Sequence, residues 1–355
     1  MVFLNPPQHG GDLFAASRQY SIAQSDWLDL STAINPRAYP VDTIDLARCR
    51  YLPSDTDALC RVAQEYFRAP LLPVVAAGSQ VLIQWLPQLR GHLFRKTARV
   101  AVPSIGYAEH AFRWRWAGHE LVQYDPRRTD SIDELLQRET IDVLVVINPH
   151  NPLATVIEPA RLLQWQMELA TRDGWLIVDE AFVDAMPQNS IVEYTDRAGL
   201  IALRSFGKFF GLPGMRCGFA SCDKKIAAAL RTAIGPWPLA STTNATAARA
   251  YRDRAWQEQM LVELGVIAAA NAELLRQFFL DEPALLLAGA LFNTLLLPMP
   301  RVRAIAEQLA RAAILIRVIP IDEQLGLLRF GLIDPQRGED WQRLRSVFAH
   351  KLAAI

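Results

Sequence analysis

Residues 99–102, 143–147, 175–178 and 200–203 are short, β-rich runs that are apolar on both would-be faces. The stretches between them repeat apolar residues at helical intervals, as in Leu162, Trp165 and Leu169. Continuous apolar strands alternating with amphipathic helices predict an α/β unit with a mostly parallel sheet, covered by helices on both faces. After Gly235-Pro236-Trp237-Pro238 the pattern changes. A helical stretch from about Thr243 to Leu280 leads into an α+β segment. There the pattern predicts strands at 291–297, 314–319 and 327–332, a helix around 302–312 and a last helix from Asp340. The expected organisation is an amino-terminal arm with part of a small domain (1–45), a large domain (46–240), then an interdomain helix and the rest of the small domain (241–355).

In a parallel α/β sheet, ligands gather outside the carboxyl ends of the strands. Distinctive polar residues follow all four predicted strands. Lys208, in Ser-Phe-Gly-Lys-Phe-Phe-Gly, has the apolar neighbours that suit an imine-forming amine, although most loop lysines are merely solvated. Arg216, eight residues on, offers the forked geometry that suits a phosphate, which the hydroxyl of Ser205 would also touch. Gly78-Ser79-Gln80 opens a helix whose free N–H groups and dipole favour an anion; an ordinary helix cap is the alternative. Asp179 ends its strand and is placed either to pair with a protonated ring nitrogen or to cap the next helix. Asn151, in Asn-Pro-His-Asn-Pro, is either a donor to a phenolate or part of a turn. Tyr107 is either a stacking partner or a core aromatic. Together these are the parts an enzyme needs to hold pyridoxal 5'-phosphate (PLP): an imine lysine, a phosphate anchor, a carboxylate for the ring nitrogen and groups that orient the ring.

Composition narrows the alternatives. The 355 residues are 51% hydrophobic, enough for more than one compact core. Lys+Arg and Asp+Glu are 37 each, without the basic excess of a nucleic-acid binder. Four cysteines and six histidines show no metal-ligand spacing, so no metal site is expected, and reduced thiols in a cytoplasmic protein are. The amino terminus lacks a basic-then-apolar leader pattern. The most apolar run, 284–297, is interrupted by Gly289, Asn293 and Thr294, and falls short of the roughly 20 residues of a membrane helix.

The same motifs resemble those of the PLP-dependent class I/II aminotransferase family, PLP fold type I (aspartate-aminotransferase-like), over essentially the whole chain. Ser205-Phe-Gly-Lys208 with Gly214-Met-Arg216 is similar to the family's lysine signature, Asp179-Glu-Ala-Phe182 to its acidic element, and Asn148-Pro-His-Asn151-Pro to its turn. The resemblance implies catalytic roles for Lys208 and Asp179. It implies cofactor roles for Gly78, Ser79, Gln80, Tyr107, Asn151, Asp179, Ser205, Lys208 and Arg216. It further implies a homodimer in which Tyr51 reaches the other subunit's phosphate.

Within the family, five stretches resemble the threonine-phosphate decarboxylases of cobalamin biosynthesis: His9-Gly-Gly-Asp12, residues 27–36, residues 77–84, Asp179 to Asp184, and Gly235-Pro-Trp237. Histidinol-phosphate aminotransferases share the cofactor machinery. The expected substrate is therefore a small phosphorylated amino acid, met by Arg329, its companion Arg317, and His9 of the arm. Two arginines in apolar runs suit a doubly anionic substrate, though either is equally open to a structural ion pair. Decarboxylation is the expected reaction and transamination the alternative. The chain departs from the family at Asp12, where asparagine is usual, and at Leu153 and Ala154, where threonine and glycine are.

Overall fold

The computed structural model describes residues 6–41, 45–279 and 286–349. The first five residues, Leu280 at the expected end of the long helix, and the first two residues of the apolar run 284–297 lie outside them. The chain divides into two units. One holds chiefly Ala38–Asn151 and Thr155–Gln257; the other holds Gln8–Arg37, Pro152–Ala154 and the residues from Glu258 onward. The first strand, β1 (Leu28–Asp29), belongs to the second unit.

The larger unit is built on seven strands: β2 (Val74–Ala76), β3 (Arg99–Pro103), β4 (Glu120–Tyr124), β5 (Val143–Ile147), β6 (Trp175–Asp179), β7 (Leu200–Ser205) and β8 (Gly218–Cys222). Their order is β2-β8-β7-β6-β5-β3-β4. The pairs from β7 to β4 are parallel, while β8 runs antiparallel to both β7 and β2. This is the mostly parallel sheet that the apolar runs predict. Its period-two alternation feeds two cores. Val143, Val145, Trp175 and Ile177 point to one face and pack with Leu82 and Leu86 of the helix Ser79–Phe94. Leu144, Val146, Leu176 and Val178 point to the other and pack with Leu162, Trp165 and Leu169 of the helix Pro159–Ala170. Burial on both faces is why these strands read as unbroken apolar runs.

Strands β2, β4 and β8 are not evident in the sequence pattern. Strand β8, Gly-Phe-Ala-Ser-Cys, is short and made largely of small residues. Strand β4 is a sheet edge whose Glu120 and Gln123 are exposed.

In the second unit β9 (Leu286–Ala288), β10 (Phe292–Pro298), β12 (Arg317–Pro320) and β13 (Leu325–Gly331) form an antiparallel sheet in the order β12-β13-β10-β9. Strand β11 (Ile314–Leu315) pairs in parallel with β1. The predicted strand 314–319 is thus split at Ile316, its two parts serving different sheets. The predicted long helix is also two helices, Ser241–Arg252 and Arg254–Phe278. They meet at Asp253, whose Oδ1 accepts from Trp256 N–H at 3.1 Å and so caps the second. Among the described residues, no helix is long and apolar enough to cross a membrane.

Candidate active site

Antiparallel β8 decides where the sequence motifs meet. Ser205, at the carboxyl end of β7, stands opposite Gly218, the first residue of β8, and Gly218 stands opposite Ala76 near the end of β2. Ser205, Arg216 and the Gly78-Ser79-Gln80 turn are therefore brought to one edge of the sheet. This is also the edge where β5 ends before Asn151 and β6 ends in Asp179.

The close approach at this edge requires glycine twice. Gly78 has φ +86° and begins the helix Ser79–Phe94, and a Cβ there would run into the guanidinium of Arg216. A Cβ at Gly218 would strike the backbone of Gly78 and Ser79. Arg216, itself at φ +50°, donates from Nη1 to the Pro213 carbonyl at 3.2 Å. One guanidinium, the N–H groups of a helix's first turn and two missing side chains make a cradle suited to a phosphate group. Gly78 is the N-cap of this helix.

Lys208 lies in a one-turn helix, Phe206–Phe209, directly after β7. A Cβ at Gly207 would meet the Pro213 backbone at 2.7 Å, so this turn packs tightly on the segment that leads to Arg216. The Lys208 Nζ lies 5.5 Å from the centre of the Phe182 ring.

Asp179 is 4% exposed. Its Oδ2 is 2.8 Å from Nε2 of buried His110, and its Oδ1 accepts from Ala181 N–H at 3.1 Å. His110 is a partner that the sequence reading does not contain. It stands in the first turn of the helix Glu109–Trp116, three residues after Tyr107 in the sequence. Tyr107 meets the His110 ring edge-on at 6.2 Å and donates from its hydroxyl to Gln80 Oε1 at 2.9 Å. Burial above all, with the charge of Glu109 next, pushes the Tyr107 hydroxyl up to about 12. The Gln80 side chain also donates to Glu109. It is therefore occupied on the Tyr107 side, and what Gln80 offers the cradle is its backbone N–H.

The acidic motif divides its labour. While Asp179 meets His110, Glu180 and Asp184 are turned to buried Arg204, with Arg204 Nη1 3.3 Å from Glu180 Oε2 and Nη2 against Asp184. Glu180 also accepts from Ser190 Oγ and Ile191 N–H, both at 2.7 Å. This network is structural, and removing one member would strand a buried charge. Beyond β5, Asn148 holds the turn by exchanging two hydrogen bonds with Ile157 (3.0 and 2.8 Å), which leads the chain into Asn151. Burial pushes the His150 imidazole down to about 4, so it is neutral near pH 7. Tyr51 is 78% exposed, beside the exposed Leu46 and Leu52.

The second unit carries a separate concentration of positive charge. Arg329 of β13 and Arg317 of β12 are register partners, placing like charges opposite each other on adjacent strands. The Arg329 guanidinium donates to the Ser31 carbonyl, and Arg317 Nη2 to the Gln8 carbonyl at 2.6 Å. Burial, then the charge of Arg317, pushes Arg329 down to about 10; burial also lowers Arg317. His9, adjacent to Gln8, is exposed. The following glycines let the arm lie close: a Cβ at Gly10 would hit the Ser31 carbonyl, and Gly11 N–H donates to Ser31 Oγ at 2.7 Å. Asp12 caps the helix Leu13–Tyr20, its Oδ1 accepting from Ala15 N–H at 2.9 Å. Its carboxylate thus has a local structural task. Of the other departures, Leu153 is buried and Ala154 takes φ +57°, a conformation glycine adopts more readily.

The mostly parallel sheet, the strand-end lysine and carboxylate, and the smaller α+β unit define a fold-type-I, aspartate-aminotransferase-like protein. The chain belongs to the aminotransferase class I and II family, whose sequence model matches residues 47–322. It is 41% identical over 338 residues to the threonine-phosphate decarboxylase of Pseudomonas aeruginosa, covering 95% of this chain and 96% of that one. A histidinol-phosphate aminotransferase of Yersinia pestis is 32% identical, over 44% of each chain. Among solved structures, the histidinol-phosphate aminotransferase of Sinorhizobium meliloti, crystallised with pyridoxal-5'-phosphate, superposes with a TM-score of 0.77 at 18% identity. That match covers 99% of this chain and 94% of the other.

Proposed function

We propose that this chain is a PLP-dependent carboxy-lyase that converts L-threonine O-3-phosphate to (R)-1-amino-2-propanol O-2-phosphate, a step of cobalamin biosynthesis. The observation that carries this reading is the near full-length identity to a threonine-phosphate decarboxylase, against less than half-length matching to the aminotransferase. The opposed pair Arg317 and Arg329 supports it: two guanidiniums suit a substrate bearing both a carboxylate and a phosphate.

The residues at the sheet edge fit the cofactor. Arg216, Ser205 and the N–H groups of Ser79 and Gln80, with Gly78 leaving room, would hold its phosphate. Asp179 would keep a proton on the ring nitrogen, Asn151 would donate to the phenolate oxygen, and Tyr107 would lie against the ring. When bound, PLP supplies an electron sink for the bonding pair left on Cα as CO2 departs. Lys208 would hold the aldehyde, and its amine would carry the proton that Cα takes up. Arg329 and Arg317, with His9, are the candidate ligands of the two anionic groups. The protein acts as a cytoplasmic homodimer, in which exposed Tyr51 reaches the partner's cofactor phosphate; the bare side chains of Leu46, Tyr51 and Leu52 support a second copy there.

The glycine contacts give an early test. Gly218→Ala is expected to weaken PLP binding by roughly 10-fold or more, because the new Cβ would stand 2.2 Å from the Ser79 backbone nitrogen and the helix start must move. Fluorescence titration of the apoprotein measures this, and unchanged affinity would contradict the cradle. The aminotransferase alternative is tested with histidinol phosphate and 2-oxoglutarate. No glutamate is expected, and its steady formation would overturn the carboxy-lyase reading.

A further inference from the structure

We infer that Glu109 is a positioning residue of this site, fixing the direction of the Gln80 amide and, through it, the hydroxyl and ring of Tyr107. The inference rests on the reading of the sheet edge as a PLP pocket. Glu109 belongs to none of the motifs that carry the family resemblance. Its carboxylate is nonetheless buried, which is costly without strong partners. Two partners are Gln80 Nε2 and Arg113 Nε, the latter at 2.9 Å from the next turn of the same helix, Glu109–Trp116.

The direction of the chain of hydrogen bonds follows from chemistry. An ionised carboxylate only accepts, so Gln80 turns its NH2 to Glu109 and leaves Oε1 for Tyr107. The Tyr107 proton is thereby committed to Gln80. The same helix presents His110, one residue on, to Asp179. One short helix therefore sets both the residue assigned to the ring face and the partner of the residue assigned to the ring nitrogen.

Gln80 Nε2 and Arg113 Nε donate to the same oxygen, Oε2 of Glu109, so what the site needs there is an acceptor held in place by Arg113. Glu109→Leu removes that acceptor and frees the Gln80 amide to turn; the PLP dissociation constant is expected to rise about tenfold, while the apoprotein still unfolds cooperatively. Glu109→Gln keeps a carbonyl oxygen that takes both donors, and it is expected to stay within about threefold of the parent affinity. A folded Glu109→Leu protein that binds PLP as tightly as the parent overturns the inference. So does a folded Glu109→Gln protein that binds no better than Glu109→Leu. A parent protein that takes up no PLP would instead defeat the cofactor reading itself.

Discussion

Lys208→Ala is expected to lower the decarboxylation rate by about 10⁴-fold or more while leaving a folded protein that still takes up PLP. Two functions disappear together: the amine that holds the aldehyde, and the proton carrier at Cα, the second alone accounting for roughly 10²–10⁴-fold. The Lys208 turn is held by Gly207 against Pro213, and the neighbouring Phe206 and Phe209 are fully buried. Initial rates on L-threonine O-3-phosphate measure the first effect. Borohydride reduction followed by peptide mass analysis measures the second: the parent should carry the cofactor on the Lys208 peptide and the variant none. A variant within about tenfold of the parent rate would remove Lys208 from the chemistry.

The next largest effect is expected at Asp179→Asn. The neutral amide fills the same space and can still face His110, but no longer stabilises a proton on the cofactor ring nitrogen. A fall in kcat of about 10²–10³-fold is expected, with a smaller change in PLP affinity, because the charge matters most as electrons flow into the ring. Steady-state kinetics alongside a PLP titration separates the two. Equal losses in affinity and turnover would make Asp179 a binding residue only.

The sequence reveals the sheet strands where both faces are buried, because β3, β5, β6 and β7 then carry unbroken apolar runs, at 100–103, 143–147, 175–178 and 200–203. It hides β8, which must start with a glycine so that the helix Ser79–Phe94 can begin against it. Since β8 is the strand that returns Arg216 to the edge holding Ser205, the motifs were legible while their meeting was not. The same holds for the acidic motif: its letters do not say that Asp179 faces His110 while Glu180 and Asp184 face Arg204. Asp12 departs from the family's usual asparagine, yet a helix-capping aspartate needs only a local N–H partner. Arg317 and Arg329 were each visible as a charge in an apolar run. Their opposition across two strands depends on a register that only the folded sheet fixes.

The most direct measurement of the proposed activity is the release of labelled CO2 from carboxyl-labelled L-threonine O-3-phosphate by the purified, PLP-loaded protein, followed together with aminopropanol phosphate. The account predicts equal amounts of the two products, with no amino-group acceptor required. Absence of CO2, together with appearance of an oxo acid only when 2-oxoglutarate is supplied, would contradict it.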